Sequence, residues 1–252
     1  MRTLFKTTSL AALLLLAFSI TFGPSCTHAQ DFQRSRNTYQ TMDDVQRKGY
    51  LAEPQFDYLA RAALRREPGF DFMRFRRYYA QTRQYDPLGE ETLERMNELA
   101  FGIETEKDPE KNRLYMDEYQ NLLLKHLANL GVVMQALSLS RTNPRFGDPG
   151  LFKWIKAGLT RDVLMSGNGR SLDDAYDVIT TTEETVLITL LGLQRLDTIS
   201  NKEGRIYYNM NEVYDPRTKE KWTLFVNTSF PMKFLEAKEK LQKSFTVDLH
   251  KQ

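Results

Sequence analysis

The stretch that decides the fold is residues 108–130, DPEKNRLYMDEYQNLLLKHLANL. Asp108 can accept the free amide hydrogens at the start of a helix, and Pro109 suits the first helical turn. Apolar side chains then recur at helical spacing at Tyr115, Tyr119, Leu122, Leu123, Leu127 and Leu130. This stripe is the strongest amphipathic pattern in the chain, so we expect a helix that packs one face against a core.

Helical patterns continue on both sides of this stretch. Upstream they predict helices over residues 56–66, over a segment capped by Asp71, and over residues 89–101. Downstream, Gly131 either divides the long helix or allows close packing, Asn143-Pro144 ends it, and Asp148-Pro149 starts another helix. Successive helices with short joints predict stacked helical hairpins with tetratricopeptide-like packing, although no 34-residue repeat is sustained.

The pattern changes after Ser166. Residues 176–180 favour a short extended piece, and residues 182–193 favour a capped helix. Residues 206–213 and 222–227 are rich in aromatic and β-branched side chains, and the turn residues 215–219 between them predict a β-hairpin. Residues 195–200 are a candidate third strand, and residues 234–243 a final helix. The predicted fold class is α+β, mostly α, with a small C-terminal antiparallel β-meander.

The N-terminus has the pattern of an export signal. Arg2 and Lys6 precede a mostly apolar stretch that is too short for a membrane anchor, and Ala29 suits cleavage before Gln30. The alternative is lipoprotein processing at Cys26, which would hold the protein on a membrane. We therefore predict a signal peptide over residues 1–29, a polar linker over residues 30–54, and a periplasmic or extracellular location.

The remaining chain, residues 55–245, is predicted to be a single domain. It divides into a helical part at residues 55–165, a β-containing part at residues 166–230, and the C-terminal helix at residues 234–243.

Composition excludes several classes of site. The 35 Lys and Arg residues exceed the 33 Asp and Glu residues by two, and Arg2 and Lys6 account for that excess. The mature chain is therefore balanced in charge, and we expect no nucleic-acid partner. Cys26 is the only cysteine, and only His126 and His250 lie beyond the leader. No grouping has metal-ligand spacing, so we expect no metal and no cofactor.

One motif carries a resemblance to a known family. The segment Ser166-Gly167-Asn168-Gly169-Arg170-Ser171, followed by Ala175-Tyr176 and Val178-Ile179, resembles the exported bacterial domain-of-unknown-function family numbered 4919. The similarity extends over roughly residues 55–230, through Tyr207-Tyr208 and residues 224–227. The resemblance implies export and a single mixed domain, and it supplies no activity, cofactor or catalytic residue.

The same glycine-containing segment has two interpretations. A phosphate-binding loop normally follows a strand and contains a lysine, and this segment follows a helix and has none, so a rigid turn is favoured. The alternative is a binding loop whose backbone amides and hydroxyl groups hold an anionic or sugar group. Its candidate binding residues are Ser166, Gly167, Asn168, Gly169 and Ser171.

A second candidate surface combines arginine with tyrosine. Such a surface could stack sugars or pair with acidic groups, or its arginine stems could simply cover the edges of the core. Its candidate binding residues are Arg74, Arg77, Tyr78, Tyr79 and Tyr85, interleaved with Phe75, Arg76 and Arg83.

Three functional hypotheses follow. The leading one is a non-enzymatic module that binds a protein, peptide or glycan partner. The alternative is a hydrolase of envelope or extracellular polymers that uses carboxylates near Asp173 and Asp177. Glu183 and Glu184, in contrast, lie where a helix's first turn favours negative charge. The third hypothesis is a structural subunit of a larger assembly.

Overall fold

The computed structural model describes the backbone of residues 42–249 and the side chains of residues 52–239. The described helices are α1 (Met42–Leu64), α2 (Phe72–Tyr79), α3 (Glu90–Thr105), α4 (Pro109–Lys125), α5 (Leu130–Thr142), α6 (Pro149–Met165), α7 (Thr181–Leu190) and α8 (Ser229–Leu249), with a 3-10 turn at Pro144–Phe146. The strands are β1 (Tyr176–Asp177), β2 (Gln194–Glu203), β3 (Ile206–Asp215) and β4 (Glu220–Asn227). The predicted signal peptide, Cys26 and His250 lie outside the described residues.

The predicted fold class is confirmed, because the chain is mostly helical with a sheet in its C-terminal part. Aspartates start three of the helices, as the sequence predicts. Asp71 Oδ1 accepts a hydrogen bond from the Arg74 amide at 2.9 Å, and Asp108 Oδ1 accepts one from the Glu110 amide at 2.9 Å. Asp148 Oδ1 accepts one from the Gly150 amide at 2.7 Å. These caps satisfy amides that have no partner within the helix.

Gly131 does not mark the boundary between α4 and α5. The helix ends at Lys125, and Asn129 caps the next one by accepting from the amides of Gly131 and Val132. Gly131 therefore lies in the first turn of α5, where its lack of a side chain suits close packing.

The predicted linker over residues 30–54 is too long, because α1 already begins at Met42 and continues through Pro54. Proline normally breaks a helix because it lacks an amide hydrogen. Here Ala52 and Phe56, on either side of it, are both buried. Their burial supports the helix where its hydrogen bonding is incomplete.

Two hydrophobic clusters form the core. The first lies among the helices and contains the large buried side chains Phe56, Tyr79, Tyr119 and Phe146. The second joins Val163 of α6 and Leu187 of α7 to one face of the sheet, which contributes Val213, Leu224 and Val226. We call this the inner sheet face.

The sheet has the strand order β1-β4-β3-β2. Strands β2, β3 and β4 form the predicted antiparallel meander. No sequence pattern predicts that β1 pairs with β4 in parallel, and this pairing places β1 at one edge of the sheet and β2 at the other. Within the described part of the chain, no helix is both long enough and apolar enough to cross a membrane.

Candidate functional site

The predicted arginine and tyrosine surface divides between the core and the exterior. Tyr79 is fully buried and Tyr85 nearly so, which corrects the expectation that both could contact a ligand. The hydroxyl of Tyr79 lies 2.9 Å from His126 Nδ1, and the hydroxyl of Tyr85 donates to the carbonyl of Ile179. Both tyrosines pack as core side chains whose polar ends find partners inside the protein.

The rest of this surface is partly accessible. Arg74 is exposed, Arg77 and Tyr78 are half-buried, and the Arg74 guanidinium lies 5.3 Å from the centre of the Tyr78 ring. Arg83 Nε donates to Glu53 at 2.7 Å. The structure therefore leaves Arg74, Arg77 and Tyr78 of the five predicted residues in reach of solvent.

Arg76, which lies between the predicted binding residues, is the centre of a buried ion network. Its Nη2 donates to Glu183 Oε2 at 2.8 Å and to the backbone carbonyl of Asp177 at 3.2 Å. Its Nη1 donates to Asp162. Burial alone would lower the pKa of Arg76, but the charges of Glu183 and Asp162 outweigh it and raise the pKa above its usual value.

This Arg76 network joins the two parts of the fold. Arg76 belongs to α2 and Asp162 to α6, whereas Glu183 belongs to α7 and Asp177 to β1. Glu183 Oε2 also accepts a hydrogen bond from the Ile179 amide at 2.7 Å, so both oxygens of its carboxylate have hydrogen-bond partners. The arrangement positions the β-containing part against the helices, and we assign it a structural role.

The glycine-containing segment forms a closed turn. The amides of Asn168 and Gly169 both donate to the carbonyl of Asp174, at 2.9 and 2.7 Å, and the Arg170 amide donates to Asn168 Oδ1 at 2.8 Å. Ser171 Oγ accepts from the Asp174 amide at 3.3 Å. These amides are therefore engaged within the turn instead of pointing at a ligand.

Backbone geometry explains both glycines of the turn. Gly169 has a φ of +68°, and a Cβ there would lie 2.5 Å from Leu224 Cδ1. A Cβ on Gly167 would lie 2.3 Å from the carbonyl oxygen of Asp174. Ser166 completes the turn, since its Oγ accepts from the Asp177 amide at 2.8 Å. The segment packs closely against the sheet, as the rigid-turn interpretation requires.

The candidate hydrolytic carboxylates occupy different environments. Asp173 and Asp174 are exposed, whereas Asp177 is buried and accepts from Asn227 Nδ2 at 2.7 Å. Glu184 is also buried, where it accepts from Asn209 Nδ2 and Asn211 Nδ2, each at 2.7 Å. The buried carboxylates thus have structural partners, and Glu184 fixes β3 against α7.

His126 is packed in the core. Burial lowers its pKa to about 4, so the imidazole is neutral at physiological pH, and its Nδ1 shares a hydrogen bond with the Tyr79 hydroxyl at 2.9 Å. Among the described residues, no group of His, Cys, Asp and Glu could hold a metal ion.

The sheet also has an apolar face that was not among the predicted sites. Because side chains alternate along a strand, every second side chain points to the face of the sheet away from the inner sheet face. Four of them are half-buried, and Ile199 is 56 % exposed. Among the described residues, none of these side chains belongs to or packs against the two hydrophobic clusters. We call this the outer sheet face, and it consists of Ile199, Tyr208, Met210, Tyr214 and Phe225.

The geometry of the outer sheet face is regular. Met210 and Phe225 are direct cross-strand partners, and the rings of Tyr208 and Phe225 lie 6.4 Å apart. Ile199 pairs with Met210 across β2 and β3. The period-two spacing of Tyr208, Met210 and Tyr214 is the sequence signal that could have revealed this surface.

Comparisons with known proteins add no relative. No protein-family model matches the chain, and no curated protein or solved structure does so. The resemblance to the family numbered 4919 therefore stays a prediction.

Proposed function

We propose that this protein is an exported module that binds a partner through its outer sheet face. The observation that carries the proposal is the cluster of aromatic and aliphatic side chains that lies outside both hydrophobic clusters. Large contiguous patches of exposed apolar surface are uncommon on soluble monomers, and where they occur they often mark interaction sites. Aromatic side chains and methionine are also enriched in protein interfaces.

The buried polar groups support a binding role by a separate argument. Arg76, Glu183 and Glu184 are all engaged in hydrogen bonds that hold the sheet to the helices. Among the described residues, the apolar side chains of the outer sheet face pack against neither hydrophobic cluster, so they stabilise the fold less than they would in a core. Contact with a partner would remove this surface from water.

Site-specific photocrosslinking in the native envelope tests the proposal. A benzophenone side chain replaces Tyr208 on the outer sheet face, and a matched control replaces Leu114, which is 59 % exposed on α4. We expect a discrete adduct from the Tyr208 position and none from the Leu114 position. Equal labelling at both positions, or no labelling at either position, would contradict binding through the outer sheet face.

Export is tested by the intact mass of the protein from the same envelope. A mass that begins at Gln30 supports cleavage of the signal peptide, and a lipid-modified Cys26 supports the membrane-anchored alternative. Recovery of the full chain from Met1 in the cytoplasm would overturn the exported part of the proposal.

A further inference from the structure

Strand β2 presents a long open edge next to the outer sheet face. Among the described strands it is the last in the sheet order, and there it pairs with β3 alone. All ten of its residues are exposed or half-buried, including Leu196 at 46 % and Ile199 at 56 %. A strand edge of this kind can accept a further strand by main-chain hydrogen bonding.

The register identifies which backbone groups face outward. The loop between β2 and β3 has two residues, Gly204 and Arg205, so Glu203 and Ile206 form a hydrogen-bonded pair. Alternation along an antiparallel strand then turns the N–H and C=O groups of Ser200 and Lys202 away from β3. Among the described residues, these outward groups have no hydrogen-bond partner. The Thr198 amide fits the same pattern, because it donates to Asp197 Oδ1 at 2.8 Å instead of to β3.

Charge along this edge selects the chemistry of the partner. The side chains of β2 on the outer side include Asp197, Ile199, Asn201 and Glu203, with the neutral Gln194 at the start of the strand, so two acids flank an exposed aliphatic residue. Glu212 lies directly across from Asp197 and adds a third acid. On the outer side of β4, Lys221 Nζ lies 3.7 Å from Glu212 Oε1. Among the residues that the structure describes, neither Asp197 nor Glu203 forms an ion pair with a basic side chain.

We propose that the β2 edge binds an extended segment of a partner protein as an additional antiparallel strand. The segment carries basic side chains opposite Asp197 and Glu203 and an aliphatic side chain opposite Ile199. Cross-strand pairs of opposite charge favour this register, and the new strand extends the outer sheet face. The inference rests on the proposed function and names the class of partner.

A second copy of this chain fits the edge less well. The outer side of β2 contains two acids and no base, so β2 of another copy supplies no positive charge on that side, and its Arg195 and Lys202 lie on the inner side. With Ser200 at the two-fold axis, Asp197 would lie opposite Glu203 of the other copy, and like charges directly across a sheet are destabilising. The charge pattern therefore favours a basic partner over self-association.

A synthetic peptide tests the proposal directly. The fluorescently labelled sequence Lys-Thr-Thr-Ser-Val-Thr-Lys spans residues 203 to 197 in antiparallel order and supplies both bases and the aliphatic residue. Its binding to the mature protein is measured by fluorescence anisotropy, against a control peptide in which both lysines are glutamate. We expect saturable binding of the basic peptide and at least about tenfold weaker binding of the acidic one.

Two variants at one position separate backbone pairing from side-chain contacts. Ser200→Pro removes an outward N–H group without removing a hydrogen bond to β3, since proline is tolerated on edge strands. Ser200→Ala keeps that N–H group and loses the side-chain bond to Asn209 Oδ1. We expect about tenfold weaker peptide binding for Ser200→Pro and a change within about twofold for Ser200→Ala.

A charge-reversal variant keeps the test decisive even if Ser200→Pro folds poorly. Glu203 is exposed at the end of β2, so the Glu203→Lys variant should fold normally. It should bind more tightly to a peptide in which glutamate replaces the lysine opposite position 203. Failure of the basic peptide to bind, or equal binding of both peptides to both proteins, would overturn the edge proposal. A Tyr208 photoadduct would then still support binding through the outer sheet face. A dimer detected by sedimentation would indicate that the β2 edge pairs with a second copy of this chain and not with a basic segment of another protein.

Discussion

Replacing Arg76 by methionine should destabilise the protein more than any change to an exposed arginine. Arg76 is 5 % exposed, and its guanidinium contacts two carboxylates and a backbone carbonyl. Removing one partner of a buried ion pair typically costs about 3–5 kcal/mol, because the other charge stays buried without compensation. Methionine fills much of the same volume, so the loss reports mainly on the charge.

Arg95→Met is the matched control. Arg95 also contacts two carboxylates, Glu98 at 2.7 Å and Glu118 at 2.8 Å, but its side chain is 43 % exposed. Exposed ion pairs contribute about 0–1 kcal/mol because water already solvates both charges. The two variants therefore differ in burial while the residue type and the number of carboxylate partners stay the same.

Urea unfolding of the mature protein measures both losses as changes in the free energy of unfolding. We expect Arg76→Met to lose about 3–5 kcal/mol and Arg95→Met less than about 1 kcal/mol. In the double variant Arg76→Met with Glu183→Gln the loss should be smaller than the sum of the single losses, because no buried charge is left at position 183. Equal losses for Arg76→Met and Arg95→Met would refute the assignment of the Arg76 network as the joint between the two parts of the fold.

Three further predictions concern stability. Gly158→Ala should lower the free energy of unfolding by about 1–3 kcal/mol, because the new Cβ would lie 2.1 Å from the Phe72 ring and force α6 away from α2. An unchanged midpoint of urea unfolding would contradict this packing. The pKa of His126 is about 4 in the folded protein and about 6.5 in the unfolded chain, so His126 contributes on the order of 3 kcal/mol to the free energy of unfolding above pH 6.5, and this contribution is lost as the pH falls toward 4. His126→Gln should therefore flatten the plot of unfolding free energy against pH between pH 4 and 6.5. An unchanged slope in the variant would disprove this prediction. Asp108→Ala should lower the free energy of unfolding by about 1 kcal/mol through loss of the α4 cap, and Asp108→Asn, which can still cap, should lose less.

The sequence predicted the features that depend on neighbouring residues. Asp71, Asp108 and Asp148 were identified as helix caps because a cap needs only the next turn of chain. The hairpin around residues 215–219 was identified in the same way, since turn residues and strand alternation are local patterns. The helix start at Met42 was missed because residues 31–54 are polar and lack a convincing apolar period, which is the signal that predicts a helix from sequence.

The candidate site was less predictable because it depends on distant contacts. Glu183 follows Arg76 by 107 residues, and no local pattern links them. The spacing of Tyr79 is that of a helix face, which cannot distinguish a core residue from a surface one. The outer sheet face could be predicted as a set of alternating side chains, but only the strand order shows that β2 forms an edge.

The internal polar contacts explain why the sheet can present an apolar face to a partner at low cost. Glu184 of α7 receives hydrogen bonds from Asn209 and Asn211, which holds β3 from its inner side, and the Arg76 network holds β1 through Asp177. The first contact lies on the inner side of the sheet and the second lies at the β1 edge, so neither involves the side chains of the outer sheet face. A surface that is already rigid loses little conformational entropy when a partner binds. If the proposed partner binds, the same buried charges that stabilise the joint between the helices and the sheet would therefore also hold the outer sheet face and the β2 edge in place for it.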